Sequence, residues 1–326
     1  MTEFIFSGFN FDKFDLKKID LNEISGPEIN GLWGAVFIRR ILPFFNVLLF
    51  FLYSLTCRRL SLLKREEGTV IYFAIEDMYS LSMGLLKNRQ FINQAIWLWN
   101  PVATIFGQRW LDRFLYQGLF LKFLRIIGVD IWTFDKEDAK KYSLNYHPQI
   151  HSLEIKKEVK CYSKTFFFVG EDKGRLNKLV ELKHLMYNSG VECHLLVKKN
   201  HGVIYSEENK ALLTDQLIPY FEYLGLIETH AGLIDFVQKN QSGLTLRVLE
   251  SLFYQKKLIT NNISIKEYDF YRKENIFLID KDFSQGDFES FIKEPYFKID
   301  KDILMKYNVE SLISNILMKK NTRAGI

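Results

Sequence analysis

Short, mainly apolar runs alternate with longer amphipathic segments over most of the chain. Runs of strand length occur at residues 3–7, 69–74, 94–98, 130–134, 165–170, 191–197, 234–237, 257–260 and 275–280. Segments with helical spacing or helix start and stop signals occur at residues 80 onward, 111–127, 136–142, 176–188, 211–224, 244–253 and 309–320. Strands that alternate with helices indicate parallel sheets with helical crossovers, so the sequence predicts an α/β protein. The polar stretch at residues 10–31 is predicted to be a loop.

A polar segment divides this pattern into two halves. Residues 146–158 contain Pro148 and two histidines followed by mixed charge, which is typical of a linker. A chain of 326 residues is long enough for two domains with separate cores. We therefore predict two Rossmann-like, doubly wound domains, residues 1–155 and 156–326, with the carboxyl ends of both sets of strands facing a cleft.

One apolar segment raises the question of a membrane. Residues 33–64 are predicted to form one long or broken helix, and its core at 41–56 is uncharged and lies between arginine pairs at 39–40 and 58–59. This core is shorter than the roughly 20 residues of a spanning helix and contains Pro43. A buried core helix, an interfacial or partner-docking helix and a true span all stay open.

Composition and charge narrow the classes of function. The net charge of +5 suits an anionic ligand or a membrane surface but is too diffuse to indicate nucleic acid. Cys57, Cys161 and Cys193 are far apart and indicate free thiols in a reducing compartment. The histidines show no metal-binding spacing, and no metal site is predicted. Because the first residues lack the pattern of a signal peptide, we expect a cytoplasmic protein, peripheral on the inner face of the membrane if the apolar helix docks there.

A loop that opens a helix in the second half is the first candidate binding site. It contains, in order, Ser242, Gly243, Thr245, Arg247 and Glu250. The backbone N–H groups of the first three and the positive end of the helix point at one place, which is a ready site for an anion. The arginine adds positive charge, and the glutamate could accept hydrogen bonds from a ribose. The alternative is an ordinary capped helix with a surface arginine and glutamate.

A second loop of the same kind follows the first strand of this half. Residues 170–175, GEDKGR, open the next helix, and Lys173 and Arg175 could reach a phosphate together with backbone N–H groups. The alternative is a solvated basic turn. Two such loops at the carboxyl ends of strands in one domain indicate a nucleotide diphosphate as ligand.

The second half resembles the GT-B glycosyltransferases of bacterial surface polysaccharide synthesis, which build capsule, exopolysaccharide or lipopolysaccharide. The resemblance rests on FFFVGEDKGR, YFEYLGLIETHAGLIDFVQKNQSGLTLRVLESLFYQKKLITNN and KEYDFYRKENIFLID. Lys173 and Arg175 match the basic phosphate contacts of the family. Glu250 matches a glutamate that contacts the ribose, so we expect its side chain to face the cleft. Ser242 stands where the family pattern has a first glutamate.

The resemblance implies a GT-B fold and the transfer of a sugar from a nucleotide-diphosphate donor to a saccharide or lipid-linked saccharide. It implies no cofactor: a nucleotide sugar, first of all a UDP-sugar, is the co-substrate, and basic side chains with a helix dipole stabilise the leaving diphosphate in place of a metal. The first domain would bind the acceptor, and residues 33–60 would dock at the membrane where lipid-linked acceptors lie.

The first domain should also supply the catalytic base if the enzyme inverts. Glu76 and Asp77 follow the strand at 69–74 and are the candidate bases, with helix capping as the alternative. Trp99 and Asn100 end the next strand and could stack on and hydrogen-bond an acceptor sugar, with a core tryptophan and a turn-forming asparagine as the alternative.

Other polar residues have structural explanations beside their functional ones. Asp135 and Asp138 resemble the candidate bases but suit helix capping better. His230 could face the donor, although a lone histidine is more often structural, and Asp235 lies within a strand. Two further functions stay open: a non-catalytic GT-B-like scaffold or nucleotide-binding subunit, and a sugar epimerase of the same fold.

Overall fold

The computed structural model describes residues 2–6, 20–23, 66–74, 91–105, 118–151, 164–237, 243–279 and 284–324, together with Leu81, Gly84, Leu85 and Asn88. The predicted helix at 33–64 lies outside these ranges, and so do Glu76, Asp77 and Ser242. Within the described ranges, no helix combines the length and the apolar character that crossing a bilayer requires.

Strands and helices follow one another along both halves of the chain. The strands are β1 (Thr2–Phe6), β2 (Asp20–Glu23), β3 (Glu66–Phe73), β4 (Phe91–Leu98), β5 (Asp130–Thr133), β6 (Asn145–Tyr146), β7 (Thr165–Glu171), β8 (Glu192–Lys198), β9 (Leu213–Thr214), β10 (Gly232–Asp235), β11 (Lys257–Thr260) and β12 (Ile276–Leu278). The helices are α1 (Val102–Ile105), α2 (Leu121–Ile126), α3 (Lys136–Tyr142), α4 (Leu176–Asn188), α5 (Tyr220–Thr229), α6 (Leu246–Phe253), α7 (Gln285–Lys293), α8 (Lys301–Met305) and α9 (Val309–Ala324), with 3₁₀ helices at Glu207–Leu212 and Ile263–Glu267.

The structure differs from the sequence prediction in two segments. The loop predicted at residues 10–31 contains β2, which pairs in parallel with β1. The helix predicted at 211–224 is divided into the end of a 3₁₀ helix, the short strand β9 and the start of α5. Pro219 stands immediately before α5 in an extended conformation, since proline cannot donate the hydrogen bond that would continue a helix through this position.

The chain forms two compact units. The first contains Met1–Pro148 and Leu312–Ile326, and the second contains Gln149–Ser311. The division therefore lies a few residues before the predicted boundary at 155, and most of α9 groups with the first unit rather than the second. Each unit contains one six-stranded sheet.

The sheet of the first unit is parallel, in the order β2-β1-β3-β4-β5-β6. Its side chains alternate between two faces, because successive residues of a strand point in opposite directions. Ile131 of β5 packs in one core with Leu124 of α2. Trp132 is the next residue, and the ammonium of Lys319 from α9 lies 5.8 Å from its ring centroid. Helices thus cover both faces of this sheet.

The sheet of the second unit has the order β12-β11-β10-β7-β8-β9, and each of its pairs is parallel. The chain builds outward from β7 to β9, returns to the centre at β10, and then builds outward in the other direction. This is the strand order of a dinucleotide-binding fold, with its reversal point between β7 and β10.

Two cores enclose this second sheet. Phe167 on β7 packs in one core with residues of α5 and α6. Phe166 and Phe168, its neighbours on β7, pack in the other core with residues of α4 and α7. The predicted α/β class with two doubly wound parallel domains is confirmed for both units.

Candidate functional site

The reversal point of the second sheet brings together the two predicted basic loops. β7 and β10 are parallel neighbours, with Leu233 paired to Phe167. After β7 the chain leads to α4 on one face, and after β10 it leads to α6 on the other face. Crossovers that depart in opposite directions leave a crevice at the carboxyl ends of the strands, which is where open α/β sheets bind ligands.

Arg247 of α6 lies across the end of β7. Its guanidinium carbon is 4.8 Å from the ring centroid of Phe168, and one of its N–H groups donates to the carbonyl oxygen of Val169. Its Nη1 lies 3.7 Å from Oδ1 of Asp235. Its buried Nε has no hydrogen-bond partner among the described residues. Arg247 therefore has one N–H group, at Nε, that no described residue accepts.

Arg175 approaches the ring of Phe168 as well, at 5.1 Å from its centroid. It donates from Nη1 to the carbonyl oxygen of Phe236 at 2.7 Å, from Nε to that of Asp172 at 3.1 Å, and from Nη2 to that of Glu171. Burial, followed by repulsion from the guanidinium of Arg247, lowers the pKa of Arg175 to about 10. It stays positive at neutral pH, so two cations converge on one aromatic ring.

Asp235 is the acidic partner beneath these cations. It is fully buried and accepts from the hydroxyl of Thr245 at 2.9 Å and from that of Thr260 at 3.2 Å. Burial raises the pKa of Asp235, against the lowering effect of Arg247. Its carboxylate fixes Arg247 and the start of α6 to the end of β10. The sequence pattern placed Asp235 within a strand and allowed it a structural role, but it did not identify the contacts with Thr245 and Arg247.

The start of α6 suits an anion. Thr245 is the N-cap residue, has an extended conformation and forms no side-chain capping bond, because its hydroxyl donates to Asp235. The first-turn N–H groups of a helix have no acceptor within the helix, and without a side-chain cap they can bind an anion. Gly243 is buried, and its carbonyl oxygen accepts from Nδ2 of Asn262 at 3.4 Å. The predicted residues Gly243, Thr245 and Arg247 thus lie together at the start of α6.

Lys173 lies on the outer side of this arrangement. It is exposed, has a positive φ of 45° and forms an ion pair with Glu171 at 3.4 Å. Its backbone N–H donates to Oδ1 of Asn200 at 3.1 Å. This N–H is therefore already used within the protein, and what Lys173 offers a ligand is its ammonium group.

Asp172 organises this loop, and the sequence prediction did not single it out. It is buried and accepts from the N–H groups of Arg175 and Leu176 at 2.9 and 2.8 Å, and from the hydroxyl of Tyr205 at 3.0 Å. These bonds tie the loop after β7 to the loop after β8. An aspartate in a loop that leads into a helix often accepts from backbone N–H groups that follow it, and this local signal could have identified Asp172.

Glu250 was predicted to face the cleft, and the structure shows its carboxylate buried under two tyrosines of α5. Glu250 is 2% exposed, and its two carboxylate oxygens accept from the hydroxyls of Tyr220 at 3.0 Å and Tyr223 at 2.5 Å. Burial raises the pKa of Glu250, although the tyrosine bonds and Arg247 oppose the shift. The resemblance that singled out Glu250 does not reveal the tyrosines that close over it, which come from α5.

His230 lies at the amino ends of the strands, whereas the basic loops lie at their carboxyl ends. It ends α5 just before β10 begins, so it stands at the amino end of that strand. Its ring stacks with that of His194 at 5.8 Å, and its Nδ1 is 2.8 Å from the carbonyl oxygen of Leu226. The expectation that His230 faces the donor does not agree with this position.

The candidate residues of the first unit follow β4 and β5. Trp99 is half-buried and packs on Phe73 with ring centroids 5.3 Å apart, and Asn100 follows it. Asp135 is the N-cap of α3 and accepts from the N–H groups of Glu137 and Asp138 at 2.9 and 3.1 Å, so the capping alternative is confirmed.

Asp138 also has a structural contact. It accepts from the N–H of Val102, the first residue of α1, at 2.7 Å. Burial is the largest cause of its raised pKa. Among the residues that the structure describes, no three histidine, cysteine, aspartate or glutamate side chains converge as a metal site would need.

Comparison with known proteins gives little beyond these observations. No family model matches the chain, and no curated protein is significantly similar to it. Among solved structures, the chain is similar to the glycotransferase of kitacinnamycin, with a TM-score of 0.41 and 11% identity over 94% of this chain and 92% of that one. A similarity this low carries no argument about activity, so the functional argument depends on the chain's own residues.

Proposed function

We propose that this protein is a glycosyltransferase that takes a sugar from a nucleotide-diphosphate donor. The observation that carries the proposal is the pairing of Arg175 and Arg247 over Phe168, beside the start of α6, at the reversal point of a dinucleotide-type sheet. Guanidinium groups and the N–H groups of a helix start are the donors that recognise phosphate oxygens. Both arginines are held by protein contacts before any ligand arrives, so little reorganisation is needed.

The same groups suit the departure of a nucleotide diphosphate. Negative charge grows on the leaving diphosphate as the bond to the anomeric carbon breaks, and fixed positive groups stabilise that charge most where water is excluded. Arg247 would act from α6, Lys173 from the exposed side, and Arg175 mainly as the residue that shapes the loop. Glu250 would accept from the ribose hydroxyls of the donor.

The acceptor and the biological role are further parts of the proposal. We assign acceptor binding to the first unit, through Trp99 and Asn100, and proton removal to Glu76 or Asp77 if the reaction inverts. The acceptor would be a saccharide or lipid-linked saccharide of bacterial surface polysaccharide, and a UDP-sugar would be the donor. The apolar segment at 33–60 would hold the protein at the membrane that carries such lipids.

A non-catalytic nucleotide-binding subunit is the second candidate. Arg175 gives three of its N–H groups to backbone carbonyls, and Glu250 is closed by two tyrosines. Both residues are thus engaged by protein groups, which suits a subunit that binds a nucleotide without transferring a sugar. Incubation with a panel of nucleotide sugars separates the two candidates, because a transferase releases UDP, GDP or CMP by slow hydrolysis and a binding subunit releases none.

Titration with UDP, GDP and CMP tests the shared claim. We expect one of them to bind, and Arg247→Met to lower its affinity about tenfold to a hundredfold, the loss typical of hydrogen bonds between charged groups. Arg272→Met is the matched control. Arg272 also lies over a phenylalanine ring, 5.5 Å from the ring centroid of Phe297, but it precedes β12 and so lies toward the amino ends of the strands. If none of the three nucleotides binds, the proposal is wrong.

A further inference from the structure

Glu250 has two tyrosine partners that differ in their access to solvent. Tyr223 is 7% exposed and donates to one carboxylate oxygen, whereas Tyr220 is 46% exposed and donates to the other, Oε1, at 3.0 Å. The two phenol rings stack with centroids 5.8 Å apart and planes inclined by 19°. One partner is therefore buried in the core, and the other is nearly half exposed.

Tyr220 lies toward the carboxyl ends of the strands, where the crevice is. It is the first residue of α5, and the segment before it leaves the carboxyl end of β9. Glu250 follows Arg247 by three residues on α6, so the two side chains share one face of that helix. A ligand that binds Arg247 through its phosphates would have its sugar near Oε1 of Glu250, the oxygen that Tyr220 occupies.

We propose that Tyr220 is a specificity-determining residue, an exchangeable donor that holds Oε1 of Glu250 until a hydroxyl group of the ligand replaces it. The inference rests on the proposed function and deepens it, because it defines the ligand class as nucleotides that carry a ribose 2′,3′-diol. Tyr223 keeps its bond to Oε2 throughout. The buried carboxylate thus has two donors both with and without ligand.

The exchange has a simple physical basis. A buried carboxylate that loses a donor is destabilised, whereas one donor exchanged for another costs little. A ribonucleotide can supply the replacement and a dideoxynucleotide cannot. In the unaltered protein a dideoxynucleotide leaves Tyr220 in place, so the preference for the ribonucleotide is modest. Removal of the Tyr220 hydroxyl leaves Oε1 short of a donor until a diol arrives, so the preference should increase.

Calorimetric titration of the full chain with UDP and with 2′,3′-dideoxy-UDP tests this exchange, with the GDP or CMP pair used instead if the unaltered protein binds that base better. We expect Tyr220→Phe to increase the ratio of ribonucleotide to dideoxynucleotide affinity about threefold to tenfold, as for one hydrogen bond to a charged group. The increase should come from tighter binding of the ribonucleotide, with dideoxynucleotide affinity nearly unchanged.

Tyr223→Phe is the matched control, since it removes a hydroxyl donor from the same carboxylate at a buried position. We expect it to lower the melting temperature and leave the affinity ratio unchanged. An unchanged ratio in Tyr220→Phe, or equal weakening of both nucleotides, overturns the inference while nucleotide binding itself stands. If UDP, GDP and CMP all fail to bind the unaltered protein, the proposed function fails and the inference fails with it.

Discussion

Gly170 is the residue that allows Arg247 to lie across the end of β7. A Cβ atom at this position would stand 2.6 Å from Nη2 of Arg247 and 3.2 Å from the ring of Phe168. We expect Gly170→Ala to displace the guanidinium and lower nucleotide affinity about tenfold, since a lost charged hydrogen bond has about this effect. Gly225→Ala is the control, because a Cβ there meets no atom within 4 Å. Unchanged affinity in Gly170→Ala would show that Arg247 does not contact the ligand.

His151 makes the stability of the second unit depend on pH. The ring is buried and stacks on Phe253 at 5.5 Å, and burial lowers the pKa of His151 to about 3 from 6.5. A folded-state pKa below the unfolded value stabilises the protein above about pH 6.5 and loses this contribution as the pH falls toward 3. We expect unfolding free energy to drop by about 2 kcal/mol between pH 8 and pH 5 on this account.

Urea unfolding followed by circular dichroism at several pH values measures this dependence. His151→Gln should flatten it, whereas His201→Gln, at an exposed loop position, should not. An equally steep dependence in His151→Gln would assign the effect to other groups.

At the scale of elements, substitutions of Asp135 can distinguish a structural role in capping a helix from a catalytic role. It caps α3 through two backbone N–H groups. We expect Asp135→Ala to lower stability by about 1 kcal/mol, the usual cost of a lost cap, and to leave release of nucleotide from a donor sugar unchanged. Asp135→Asn keeps a capping oxygen and should be nearly neutral. Loss of nucleotide release at full stability would instead make Asp135 a candidate base.

How well each element could be predicted depends on how local its determinants are. α4, α3 and β11 have the predicted bounds, because capping residues, helical spacing and short apolar runs are local signals. β2 was missed because the polar segment DLNE forms a strand only by pairing with β1. Tertiary pairing decides such a strand, and no property of the segment itself reveals it.

The same distinction applies to the candidate site. Arg175, Thr245 and Arg247 were predicted because a strand–loop–helix pattern places them at strand ends. The environment of Glu250 was not, because its partners Tyr220 and Tyr223 lie 30 and 27 residues earlier in the chain. Sequence spacing can assign a side chain to one side of a helix, but it does not show which distant residue covers that side.

At the scale of the whole molecule, the chain ends by returning to its first unit. Residues 149–311 form the second unit, and Leu312–Ile326 group again with the first. Lys319 of α9 contributes to this return: its ammonium lies 3.4 Å from Oδ1 of Asp130 and also donates to the amide oxygen of Asn145. The first unit is therefore completed only after the second has been made, so its stability should depend on contacts from the last helix.

Tryptophan fluorescence can follow the first unit alone, because Trp33, Trp97, Trp99, Trp110 and Trp132 all lie within residues 1–148. Lys319→Met removes an ammonium group from beside the buried carboxylate of Asp130, and we expect a loss of about 2 kcal/mol and a fall of roughly 4–8 °C in the fluorescence-detected melting temperature. Lys122→Met, at an exposed position of α2, is the control. Nucleotide affinity should stay normal, because the arginine pair lies in the second unit. An unchanged fluorescence transition would mean that Lys319 does not stabilise the first unit.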